Sequence, residues 1–99
     1  MLKGMADLLS DDEIASRLAG LDGWSREGDR ITRTFENGDF VGSVKFVDKL
    51  VEPAEGMGHH PDLELSWDRV KVSITNHAAG GLTGADFELA GRIDALHDA

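Results

Sequence analysis

Apolar positions recur along this chain with two periods, and the switches between them lay out the elements. Ile14, Leu18 and Leu21 fall at i, i+4 and i+7 behind Ser10-Asp11-Asp12-Glu13. That tetrad is a capping box, in which the serine accepts from the third helical amide and the glutamate reaches back to the cap. The spacing predicts a helix over 11–20, stopped by Gly20 and Gly23. Ile31 and Phe35 then share one parity while Thr32 and Thr34 take the other. Gly28-Asp29, a favourable two-residue loop, joins residues 24–27 to 30–36 in a β-hairpin. Beyond Asn37-Gly38-Asp39, the residues Phe40, Val44, Val47, Val51 and Ala54 step by four, three, four and three. They predict one amphipathic helix of about four turns with these five facing the core. Val41, Phe46 and Leu50 lie off that stripe, either as a second apolar face for self-association or a partner, or as a widening of the core contact. Pro53 has no amide proton and is expected to kink or end the helix.

Alternation takes over after Gly56 and Gly58. Leu63, Leu65 and Trp67 alternate with Asp62, Glu64 and Ser66, and Val70, Val72 and Ile74 alternate with Arg69, Lys71 and Ser73. Both read as half-buried strands. A two-residue loop at Asp68-Arg69 would pair Trp67 with Val70, Leu65 with Val72 and Leu63 with Ile74, all on the core face. Gly80-Gly81 ends the strand, and Thr83 with Asp86 resembles a capping box with the shorter acid. Leu82, Leu89, Ile93 and Leu96 mark a last helix over 84–97. The predicted order is α-β-β-α-β-β-α, an α+β fold with a four-stranded antiparallel sheet and helices packed on one face. Residues 1–9 read as a loose lead-in, anchored at most by Leu8 and Leu9, and residues 10–99 as a single domain.

Size and charge narrow the picture. At 99 residues the chain buries only ~60–65% of the surface of its unfolded form, so a lone copy would be marginal. With no cysteine, it must close a compact core or oligomerise. Ten basic and nineteen acidic residues leave a net charge of −9, which argues against direct contact with nucleic acid or an anionic membrane. No apolar run approaches a membrane span and no signal-peptide pattern opens the chain, so the expectation is a soluble, cytoplasmic protein.

The candidate chemistry is histidine. His97 sits in the last turn of the last helix, where an imidazolium suits the helix dipole and the role is structural. Extending the second hairpin outward on its polar face sets His60 opposite His77, two imidazoles at one open end of the sheet. His59 would point to the other face or swing free, and Glu55, four residues earlier, could hydrogen-bond one imidazole. Three readings follow: surface histidines beside a glycine-rich loop, a zinc site of three imidazoles, or an acid–base pair. Zinc is disfavoured by the lack of an i, i+4 histidine pair or an HExxH motif. Nucleophilic catalysis has no cysteine and no serine elbow to stand on.

Glu55-x3-His59-His60-Pro61, Trp67, His77 and Asp86, at these separations, resemble the signature of the pterin-4a-carbinolamine dehydratases. Asp39-Phe40, Gly80-Gly81-Leu82-Thr83, Leu89-Ala90 and Ile93-Asp94 extend the likeness over residues 10–97. Trp67 stands where that family commonly has tyrosine, Gly58 where it has asparagine, and Asn76 where it has threonine. The resemblance implies dehydration of 4a-hydroxytetrahydropterin to quinonoid dihydropterin and water. In that family this step recycles the tetrahydrobiopterin-type cofactor of the aromatic amino acid hydroxylases. It implies His59, His60 and His77 as the acid–base residues, with Glu55, Pro61, Trp67 and Asp86 binding substrate or supporting them. It also implies a homodimer or homotetramer, with no metal and no cofactor, since the pterin is the substrate. The alternative is a non-catalytic dimerisation or assembly module that binds a protein partner, as some members of that family do.

Overall fold

The computed structural model describes residues 4–98. Ser10 opens α1 (Asp11–Leu18) with both arms of the expected box: its Oγ accepts from the Glu13 amide at 3.2 Å and its own amide donates to Glu13 Oε1 at 2.9 Å. Strands β1 (Ser25–Glu27) and β2 (Arg30–Glu36) form the first hairpin, with Glu27 opposite Arg30 across Gly28-Asp29. Helices α2 (Phe40–Lys49) and α3 (Val51–Met57), strands β3 (Asp62–Leu65) and β4 (Arg69–Ile74), and α4 (Gly84–Asp98) complete the chain. The sheet is antiparallel throughout, in the order β1-β2-β4-β3. The predicted order of elements holds, with the middle helix in two pieces.

One face of the sheet carries the core. Ile31 and Phe35 of β2 lie beside Val70, Val72 and Ile74 of β4, all fully buried against Leu89, Ala90 and Ile93 of α4 and Phe46 and Leu50 of the α2 segment. Trp24 closes one end, its indole N–H donating to Asp94, which also takes the Arg33 guanidinium at 2.7 Å. The opposite face is polar. There the Thr32 hydroxyl donates to Glu27, and Lys71 lies 3.5 Å away. Those two partners, the hydroxyl first and the Lys71 charge second, hold the Glu27 carboxyl below its ordinary range. Their support for the fold is therefore present above the usual carboxylate range and fades as the pH falls through the lowered value. Among the described residues no helix is long and apolar enough to cross a membrane.

The middle helix departs from expectation in two ways. It breaks at Leu50, whose N–H donates to Val47 O in a tightened turn. Proline explains the place. Pro53 cannot donate to the carbonyl four residues back, and a break at Leu50 makes it the third residue of α3, in a first turn whose amides need no helical partner. The buried side is also shifted from the expected one. Of the expected stripe Ala54 is buried and Val47 half-buried, but Phe40, Val44 and Val51 are exposed, as is Val41, and Ser43, Phe46 and Leu50 face the core instead. Both sides of this helix are apolar, and periodicity alone does not say which one the sheet covers.

The second hairpin is shifted by two residues from the predicted register. Leu65 lies opposite Val70 and Leu63 opposite Val72, so the inward parity is kept. The reason lies in the neighbouring strand. Glu36 pairs with Arg69, and the Asn37 N–H takes the Asp68 carbonyl at 2.7 Å, which holds Arg69 inside β4 rather than in the loop. Ser66 N–H closes onto Arg69 O, and Trp67 is left at the tip, 66% exposed rather than packed on Val70. At the other end of the chain, Leu8 bridges Thr83 and Leu9 N–H donates to Leu82 O. Met5 O adds a third point of attachment by accepting from Ala85 N–H.

Candidate active site

The geometry of the site starts at a helix end. Gly58 takes φ 60°, and its N–H donates to Glu55 O while the His59 N–H donates to Ala54 O. This is a Schellman stop, which needs a left-handed residue. Glycine fits it without steric cost, and asparagine, common there in the resembling family, is the next most tolerant type. The turn sends two adjacent imidazoles in different directions, each onto a carboxylate.

His59 runs inward. Its Nε2 lies 2.6 Å from Asp86 Oδ1, with 12% of the histidine side chain and none of the aspartate exposed. Asp86 stands in the first turn of α4, where its charge suits the helix dipole. Its other oxygen, Oδ2, accepts from the Thr83 N–H at 2.7 Å and from Thr83 Oγ1 at 3.0 Å. His60 runs outward, its Nε2 2.5 Å from Glu55 Oε2, and both side chains are mostly exposed. One pair is therefore buried and the other open to solvent. Where Nε2 donates to the carboxylate, Nδ1 is the ring nitrogen left for a ligand.

His60, Glu55 and Pro61 edge a cleft of about 270 Å³ whose other walls are apolar, among them Leu50, Ala54 and Leu63. A flat heterocycle suits such a cleft, with apolar walls for its rings and a few polar groups at the rim. His77 lies elsewhere, exposed in the turn after Asn76, in a polar pocket of about 260 Å³ with Arg30, Thr75 and Gly81. The predicted cross-strand pair of His60 and His77 is not formed. Strand β3 begins only at Asp62, and the shifted register would bring His60 level with Thr75. Glu55 meets the expectation of binding an imidazole, and that imidazole is His60. His59 does not swing free; it points away from His60, from a helix stop rather than from an extended strand. Trp67 lines neither pocket.

Two further polar residues, Asn76 and Thr83, shape this region. Asn76 builds the turn that presents His77: its carbonyl accepts from Gly80 and Gly81, and its Oδ1 accepts from the Ala79 N–H. Thr83 holds Asp86, and its three-residue spacing to that acid was the signal available. His97 contacts the rings of Phe35 and Phe46 at centroid distances of 4.9 and 5.2 Å, and its Nε2 meets Glu36 O. His97→Ala should thus lose about 1 kcal/mol of stability through those ring contacts while leaving any chemistry at His59 and His60 intact. Thermal melts alongside a turnover assay check this. Among the described residues, no three histidine, aspartate or glutamate side chains gather as a metal site would need.

A four-stranded antiparallel sheet with one helical layer, and imidazole–carboxylate pairs at the helix ends, make up a small α+β domain. The family model for Pterin 4 alpha carbinolamine dehydratase matches residues 7–96, and the chain belongs to that family. It is 50% identical over 93 residues to a protein of Nostoc sp. provisionally named pterin-4-alpha-carbinolamine dehydratase, covering 94% of this chain and all of that one. A protein of the same provisional name from Thermosynechococcus vestitus is 51% identical over 92 residues, covering 93% and 97% of the two chains. Among solved structures, a transcriptional coactivator/pterin dehydratase from Brucella melitensis superposes with a TM-score of 0.86 at 31% identity, over 90% of this chain and 97% of that one. A pterin dehydratase-like protein identified as a RuBisCO assembly factor in the alpha-carboxysome shares the fold, with a TM-score of 0.62 at 22% identity over 77% and 88%.

Proposed function

We propose that this protein dehydrates 4a-hydroxytetrahydropterin to quinonoid dihydropterin, in the recycling of a tetrahydrobiopterin-type cofactor in the cytoplasm. The observation that carries the reading is the divergent pair of imidazole–carboxylate contacts, His59 with Asp86 and His60 with Glu55, beside an apolar cleft. The substrate has a hydroxyl on carbon 4a next to N5. The C4a–O bond breaks as an acid gives its proton to the departing hydroxyl, which leaves as water. The N5 lone pair forms the new C=N bond, and a base takes the N5 proton. One proton is given and one is taken, so no redox partner is needed. Imidazole suits both roles, since its reference pKa of ~6.5 supplies acid and base forms near neutrality. In this reading His60 and His77 move the protons, His59 orients the pterin or shares the acid role, and Glu55 and Asp86 steady the imidazoles. Pro61 borders the ring.

The test is the decay of freshly generated 4a-hydroxytetrahydropterin, followed optically with and without protein. Catalysed decay is expected; decay at the spontaneous rate would overturn the proposal. Metal should be dispensable, because the imidazoles are engaged by carboxylates rather than converging on one point. Activity should survive dialysis against EDTA, and loss restored by stoichiometric zinc would contradict this.

A second reading has its own observation. Phe40, Val41, Val44 and Val51 form an uncovered apolar stripe on the α2 and α3 segments of a small, disulfide-free chain. Isolated exposed apolar residues are ordinary, but a contiguous stripe marks an interaction surface. A second copy of the chain is the occupant proposed, giving a dimer or tetramer; a protein partner would make the domain an assembly module. Sedimentation equilibrium at micromolar concentration should show an oligomer, and Val41→Glu with Val44→Glu should shift it toward monomer. A native protein found only as monomer would contradict self-association.

A further inference from the structure

We propose that Thr83 is a positioning residue for His59, acting through Asp86; this rests on His59 belonging to the dehydration site. Thr83 immediately precedes α4, where a threonine hydroxyl ordinarily accepts from an amide of the first helical turn. Here it does not. The Asp86 N–H goes to the Thr83 carbonyl at 3.2 Å, and the hydroxyl turns round to donate to Asp86 Oδ2 at 3.0 Å. The Thr83 N–H donates to the same oxygen at 2.7 Å. Both residues are fully buried, so bulk solvent does not compete for these contacts.

Two donors on Oδ2 set the plane of the carboxylate. The terminal torsion of aspartate is broad by itself, and one donor would leave the group free to rock about it. Held by two, it presents Oδ1 to His59 Nε2 in one orientation. That contact in turn decides which ring nitrogen carries the proton and where Nδ1 points. The helix start does not need the hydroxyl, because the Thr83 carbonyl accepts from the Asp86 amide and the Asp86 carboxylate already accepts from the Thr83 amide. The buried hydroxyl is thus available to the histidine's orientation.

The experiment combines a tautomer readout with turnover. Native, Thr83→Ser and Thr83→Val proteins are labelled with 15N-histidine, and two-bond 1H–15N spectra are recorded beside dehydration kinetics. The native protein and Thr83→Ser should both show His59 as a single Nε2–H tautomer with similar turnover. Thr83→Val should give mixed or broadened His59 signals and lower kcat about tenfold with KM little changed, the scale of a small misplacement. Unaltered His59 signals in Thr83→Val would overturn the link, and altered signals with native kcat would overturn its part in the reaction. If the valine variant does not fold, Thr83→Ala removes the hydroxyl without adding a methyl to the buried cap and is read the same way. A native protein without dehydratase activity would refute the proposed function, while the His59 spectra would still decide whether Thr83 orients it.

Discussion

Asp86→Ala should cost about 3 kcal/mol of folding stability, because it strands the Thr83 N–H and hydroxyl in a buried site at roughly 1–3 kcal/mol each. It also removes a carboxylate from the first turn of α4, where it complements the dipole. His59 loses its partner at the same time, so dehydration should fall with stability. Glu55→Ala is the matched comparison. Its contact with His60 is at the surface, both side chains being more than 60% exposed, and such pairs contribute about 0–1 kcal/mol. Urea unfolding of the two variants checks the contrast. Losses of similar size would mean that Asp86 is not the buried anchor described.

His60→Ala and His77→Ala should each slow dehydration about 10²-fold, the lower end of what a positioned acid or base supplies. Both histidines are exposed, so the fold should change by no more than about 0.5 kcal/mol. If both act on one transition state, the double variant should lose less than the product of the single losses. The point has weight here because the two side chains line different pockets. A substrate must bridge those pockets for the coupling to appear. Losses that multiply would separate the two residues into independent roles.

The pattern along the chain was informative wherever one physical demand had one solution. Ser10 and Glu13 cap α1 because few other residue types can, and Gly28-Asp29 turns where β1 meets β2. Parity placed Leu63, Val70, Val72 and Ile74 on the buried side regardless of register. The pattern is ambiguous where two solutions look alike. Phe40, Val44, Val47, Val51 and Ala54 match a helical period as well as Ser43, Phe46 and Leu50 do, and only packing on the sheet separates them. Register in the second hairpin was set by β2, through Glu36 opposite Arg69, which no local pattern within that hairpin contains. The site suffered from that slip. The histidines were found by spacing and by family resemblance, but the facing of His60 and His77 depended on the register. The His59–Asp86 contact joins residues 27 positions apart across the α3 turn and the α4 start, so it needed the fold.

The most direct test of the account compares the decay of 4a-hydroxytetrahydropterin under equal concentrations of native protein and of a His59→Ala, His60→Ala, His77→Ala triple variant that circular dichroism shows to be folded. Catalysed decay is expected with the native chain, and decay at the spontaneous rate with the triple variant. A folded triple variant that still dehydrates at the native rate would contradict it.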